Sequence, residues 1–204
     1  MFFYKKTGGA GRMAALTREA SPSTMTVKWI TPRGIAALVV PIAGLAAALL
    51  TSNLILLDYV HVLTGGTWTG IDLFMGFVLS YVLRSSSVVV RAEVAKRLTP
   101  VMLFLVPSIS SVAITAGYFL ANRLGVFSLS SPLIIAAGII VVLLLVQGLG
   151  IFLPNNVRVL LQLGKQSPDY NKISRLMMLN FKLSGVQGIL QIALIFVMAS
   201  LAMV

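Results

Sequence analysis

Residues able to do chemistry are scarce in this 204-residue chain, and several of them share one short stretch. HVLTGGTWTGID, positions 61 to 72, holds the only histidine together with Trp68 and Asp72. On a helix His61, Gly65, Trp68 and Asp72 fall on one stripe, with Asp58 one turn before His61. A histidine beside a carboxylate either hydrogen-bonds to it or ligates a metal with the carboxylate behind it. An aspartate deep in an apolar helix is costly, so it is paired, protonated or placed on an ion path.

The remaining inventory narrows the chemistry. With no cysteine there is no disulfide, no thiolate metal site, no iron-sulfur cluster and no cysteine nucleophile. One histidine without cysteine does not make a four-coordinate zinc site. Haem or Cu(I) asks less of the protein, and Met198, level with His61 about 9 Å below the outer surface, is a candidate second ligand. The sequence holds no phosphate loop, no HExxH, and no dinucleotide fingerprint in a strand-turn-helix setting. With five Asp and Glu in all, hydrolysis has few parts, and an enzyme of ordinary soluble type is not expected.

These residues must be held by membrane helices. The chain is 58% hydrophobic and 10% charged, more apolar than a soluble domain of this length can bury. The expected fold is all-α, a polytopic membrane helix bundle. Five spans are read at about 34–51, 55–83, 100–122, 132–153 and 182–204. Thr51-Ser52-Asn53 forms the first hairpin, Thr99-Pro100 starts the third span, and Pro154-Asn155-Asn156 closes the fourth. VRVLLQLGK prolongs helix 4, and Ser167-Pro168-Asp169 begins a helix leading into span five. Residues 29–204 form one transmembrane domain, with helix 1 added to a four-helix core over 55–204.

Basic residues set the orientation. Of the sixteen Lys and Arg, all but Arg123 fall on one side when the spans alternate, which puts the N-terminus inside and the C-terminus outside. Residues 1–28 read as a disordered basic cytoplasmic tail. The net charge of +11 lies between apolar runs and not on an aromatic-laced solvated surface, so nucleic acid is not an expected partner. The expected partners are the lipid bilayer and, beyond it, other membrane subunits or a second copy.

Counting rises from the inner surface puts Asp72 near mid-membrane, about 16 Å in, level with Ser111 and close to Gln191. Helix 3 offers Ser108, Ser111 and Thr115 on one face, and helix 5 offers Ser184, Gln187 and Gln191. A buried polar cluster of Asp58, Asp72, Ser111, Thr115 and Gln191 follows as an expectation. Gly66 with Gly70, Ala113 with Gly117, and Ser184 with Gly188 are small-xxx-small pairs suited to close helix packing. Trp68 lies too deep for an interfacial belt, so it fills the core or presses on a flat ligand.

The His-x6-Trp-x-Gly pattern of His61, Trp68 and Gly70 early in a membrane helix resembles the signature helix of copper-resistance D-type (CopD-like) integral membrane proteins. Their relatives include membrane protoporphyrinogen oxidase-like and uncharacterised proteins. A basic loop, a proline-started helix and Thr115-Ala116-Gly117 extend the likeness over helices 2 to 5. The resemblance implies haem or copper handling within the membrane, with His61 as the metal ligand. Trp68 and Met198 stand beside it as the further cofactor-binding candidates, and a prokaryotic cell membrane is the expected location. No second histidine is present, and helix 2 lacks the lysine expected in oxidase-like members. Two other classes stand beside this reading: a non-catalytic accessory subunit of a larger membrane complex, and a small transporter using Asp72.

Overall fold

The computed structural model describes residues 30–201 and Met203. The tail at 1–28 lies outside the described residues. Five helices long and apolar enough to cross a membrane are present: α1 (Pro32–Leu50), α2 (Leu54–Arg84), α3 (Val88–Arg123), α4 (Pro132–Leu163) and α5 (Tyr170–Leu201). Among the described residues there is no strand. Large apolar side chains such as Ile55, Phe77, Val142, Leu149 and Phe196 point outward. Such a surface suits hydrocarbon and not water, which makes the chain an integral membrane protein.

Local chemistry explains most boundaries. Thr31 caps α1 by accepting from the Gly34 N–H at 3.0 Å, with Pro32 at the first helical position. The α1–α2 turn is Thr51-Ser52-Asn53 as read from sequence. Ser52 takes a left-handed φ of 52° and the Asn53 side chain accepts from Leu56 N–H. Asp169 likewise accepts from the Lys172 N–H, starting α5 well before Lys182.

Two expected boundaries move. Helix α3 begins at Val88, capped by Ser87, and runs through Thr99-Pro100 without a break. Pro100 therefore sits inside the helix and does not start it. Helix α4 continues past Pro154-Asn155-Asn156. A π-helical segment at Gly148–Phe152 directly precedes Pro154, a wider turn that accommodates a residue with no N–H and a bulky ring. A second π segment, Phe74–Leu79, interrupts α2 just after Asp72.

Apolar clusters stack along the bundle. At the end carrying the basic loops, Met75, Leu83, Ala95, Leu160, Ile173 and Phe181 pack together. Mid-bundle, Trp68, Ile109, Ala113 and Leu144 meet. At the far end, Ala48, Leu57, Val60, Val112, Ala116 and Leu120 join α1 to α2 and α3. Helix α1 is also tied to α3 by the Ser108 hydroxyl, which donates to the Leu38 carbonyl at 2.9 Å. The basic end is pinned by Arg91, whose guanidinium donates to the Leu83 and Arg84 carbonyls at the end of α2 and to Ser174 on α5. The exposed Arg97–Glu93 pair at 2.9 Å adds little.

A backbone-to-backbone helix contact falls at glycines other than those singled out from sequence. A Cβ on Gly76 would stand 2.3 Å from the Gly185 Cα, so α2 and α5 touch backbone to backbone there. A Cβ on Gly66 or Gly70 would meet nothing within 4 Å, and that pair does not mediate packing. Gly76→Ala is expected to cost about 1–3 kcal/mol through overpacking. Gly66→Ala should change stability by less than about 1 kcal/mol, in the stabilising direction because alanine is the better helix former. Unfolding of both variants in mixed micelles checks this, and equal losses would contradict the assigned contact.

Candidate functional site

The α2–α5 contact fixes what faces Asp72. Leu73 covers Gly188, and one step along the same interface the Gln191 amide Nε2 donates to Asp72 Oδ2 at 3.0 Å. The Ser184 hydroxyl and the Trp68 indole lie beside the same carboxylate, although only the Gln191 bond closes with regular geometry. Asp72 is 4% exposed and Gln191 2% exposed. No Lys or Arg pairs with Asp72, and the one ion pair among the described residues is the exposed Arg97–Glu93 pair.

Asp72 stands at the wall of a cavity of about 60 Å³. Ser184 and Gln187 from α5 line it near Asp72; Thr99 from α3, Asn156 from α4 and Asn180 from α5 line it toward the basic end. Its volume suits a few waters or a small cation with a partial shell. A side-chain ladder supports the basic end. Arg158 donates to Asn155 Oδ1 at 3.4 Å, Asn155 donates to Asn180 Oδ1 at 3.0 Å, and Asn180 donates to Asn156 Oδ1 at 2.9 Å. Nearby, Gln147 donates to the Leu183 carbonyl at 2.8 Å.

Among the described residues, three buried side-chain polar atoms lack a hydrogen-bond partner: Trp68 Nε1, Gln187 Oε1 and Gln191 Oε1. All three belong to residues within about two helical turns of Asp72 or of its partner Gln191. Buried polar atoms are nearly always paired, so unpaired ones close to one carboxylate mark it as the candidate site.

The expected cluster is only partly assembled. Asp72 and Gln191 meet, and Ser184 and Gln187 of the same α5 stripe are buried with them. Asp58 is exposed and belongs to no buried cluster, and Ser111 is also exposed. Thr115 is half-buried, between Ala113 and Gly117, the two residues that meet His61. The physical reason is register. Because α3 starts at Val88 and not at Pro100, the residues it brings to the Asp72 cavity are Leu98, Thr99, Met102 and Val106, while Ser111 lies about 10 Å farther along. The Asn155, Asn156 and Asn180 group went unrecognised because Pro154-Asn155-Asn156 has the composition of a helix end.

His61 lies half-buried in the far half of the bundle. Its Nδ1 is 2.8 Å from the Ala113 carbonyl, which can only accept, so Nδ1 carries the proton. The ring lies on Gly117, where a Cβ would stand 2.6 Å from its Cε1. Ala113 also packs against Trp68, so α3 fills the face of α2 between His61 and Trp68 where a haem would have to lie. Met198 is half-buried on α5. Extending the α2–α5 pairing of Gly76 with Gly185 places it about half a turn, about 3 Å, deeper than His61. Among the described residues no group of three or more His, Cys, Asp and Glu is placed to hold a metal.

Comparison of the chain with protein-family models, with curated proteins and with solved structures gives no match.

Gln191→Leu removes the one regular hydrogen bond to Asp72 and is expected to cost about 1–3 kcal/mol, whereas the isosteric Asp72→Asn should shift stability by less than about 1 kcal/mol. Thermal unfolding in detergent measures both. A neutral Gln191→Leu with a strongly destabilised Asp72→Asn would mean that the carboxylate is held by something other than this amide.

Proposed function

We propose that this chain is a small membrane transporter or ion-handling membrane protein whose working group is Asp72. The observation that carries the reading is a buried carboxylate with no cation beside it, on the wall of a cavity to which Ser184, Asn180, Asn156 and the unpartnered Gln187 Oε1 add polar groups among apolar side chains. Buried intramembrane carboxylates facing a cavity bind and release protons or cations. The excess of lysine and arginine at the cavity's end favours that end as cytoplasmic, with the N-terminus inside and the C-terminus outside. The CopD-like pattern of helix 2 supports a prokaryotic cell membrane as the location. Five helices enclose little more than a half-path, so transport across the full bilayer calls for self-association or a partner subunit. A purely accessory subunit would have no use for the orphaned groups.

The second reading is the CopD-like haem- or copper-binding protein. What favours it is His61, whose Nδ1–H is anchored on a backbone carbonyl and whose Nε2 keeps a free lone pair, the arrangement typical of a metal-ligating histidine. Copper suits the site better than haem, because Ala113 and Gly117 occupy the face beside the ring.

Proteoliposomes holding a pH-sensitive dye test the first reading. Under an imposed sodium or potassium gradient the wild type should move protons, and Asp72→Asn should be at least tenfold slower. A wild type that moves none, or an Asp72→Asn variant as fast as wild type, overturns it. For the second reading, protein grown with haem precursor and copper should show a Soret band or stoichiometric copper that is lost in His61→Ala. A colourless, metal-free wild type leaves His61 as a packing group.

A further inference from the structure

Gly70 lies on α2 near mid-bundle, is exposed, and has no neighbour within 4 Å of a would-be Cβ. It satisfies no packing need, yet its lack of a side chain leaves open a lateral groove of about 380 Å³ between α2 and α3. Thr67, Phe74 and Leu79 line this groove with it. Four residues, Ile71, Met75, Leu98 and Met102, line both the groove and the Asp72 cavity and form the partition between them. Two of the four are methionines, unbranched side chains that change rotamer at little cost.

We propose that this groove admits a lipophilic monoamine from the bilayer, its apolar body resting in the groove and its protonated nitrogen reaching Asp72. The inference rests on Asp72 being the working group. Charge complementarity selects the occupant: the neighbours placed beside the carboxylate, Gln191, Ser184 and Trp68, are all neutral. Gln187, 1% exposed, adds a buried acceptor oxygen without a partner on the same cavity. Two acceptors on one cavity suit an ammonium group that brings several N–H donors. Size divides the ligand. The cavity of about 60 Å³ takes the head alone, and the open apolar groove takes the body on its bilayer side. A hydrated inorganic ion would gain nothing from the apolar groove and would reach Asp72 from the basic end.

Dansylcadaverine, a fluorescent hydrophobic primary amine, is the probe, titrated into the full chain in nanodiscs. The wild type should give saturable, blue-shifted emission. Asp72→Asn, and separately acetylation of the probe's amine, should each weaken binding at least tenfold. Gly70→Phe fills the groove from a position with free space around it and should weaken binding at least tenfold. Thr67→Phe, also exposed and on the groove, repeats the block should Gly70→Phe fold poorly. Unchanged binding in both blocked variants would overturn the lateral route, the amine then arriving from the basic end. Equal binding of the acetylated probe, or of the amine to Asp72→Asn, would overturn the ligand class and leave the groove a seat for lipid chains. Should amine binding depend on both Gly70 and Asp72 while the wild type moves no protons, the site inference stands and the transport reading falls.

Discussion

Where Gly76 of α2 meets Gly185 of α5, no side chain separates the two backbones. Helices in a bilayer gain little from hiding apolar surface, so close packing of this kind must hold them together. The contact also sets a register that the rest of the site inherits. With Gly76 on Gly185, Leu73 falls on Gly188, Asp72 reaches Gln191, and Ser184 lies beside the carboxylate. A shift of one residue along either helix would turn Asp72 by about 100° and break the pairing. The π segment at Phe74–Leu79 begins two residues after Asp72 and includes Gly76, so the irregular turn and the contact occupy the same place. The second π segment ends at Phe152, which lines the cavity. Both departures from regular helix thus border the same cavity.

The bundle divides its polar groups unevenly. Toward the basic end, Asn155, Asn156, Asn180 and Gln147 bond to one another or to backbone, and Asp72 with Gln187 stands at the far limit of that polar wall. Beyond Trp68 the helices are joined by apolar packing, with His61 locked onto the Ala113 carbonyl and Gly117. The cavity and its polar side chains thus lie in one half of the bundle, and close apolar packing fills the other. The lateral groove, apolar and facing lipid, meets the cavity at Ile71, Met75, Leu98 and Met102.

Much of this was legible in the sequence, for reasons that differ by residue. Five spans follow from the placement of charges, because an unpaired lysine or arginine is expensive in hydrocarbon. The α5 stripe of Ser184, Gln187 and Gln191 could be read because polar groups in a membrane helix turn inward. Proline misled twice. Pro100 and Pro154 have the composition of a helix start and a helix end, yet both lie within continuous helices, and the first error shifted α3 against α2 by about 10 Å. That shift alone put Ser111 and Thr115 opposite Asp72. Hydroxyls such as Ser111 are weak guides to direction, since serine can satisfy itself on its own helix and face lipid. Gly66 and Gly70 had the spacing of a packing motif without the partner, and only the fold distinguishes them from Gly76.

The most direct test exploits the absence of cysteine from the chain. Single variants Asn156→Cys, Ser184→Cys and Ser111→Cys, reconstituted in one orientation, are exposed to a membrane-impermeant methanethiosulfonate reagent from either side. A water-filled cavity reaching Asp72 from the basic end predicts that Asn156→Cys and Ser184→Cys react from that side alone, while Ser111→Cys, facing lipid, reacts from neither. Protection of Ser184→Cys from the basic side, or its reaction from the opposite side, would contradict the account.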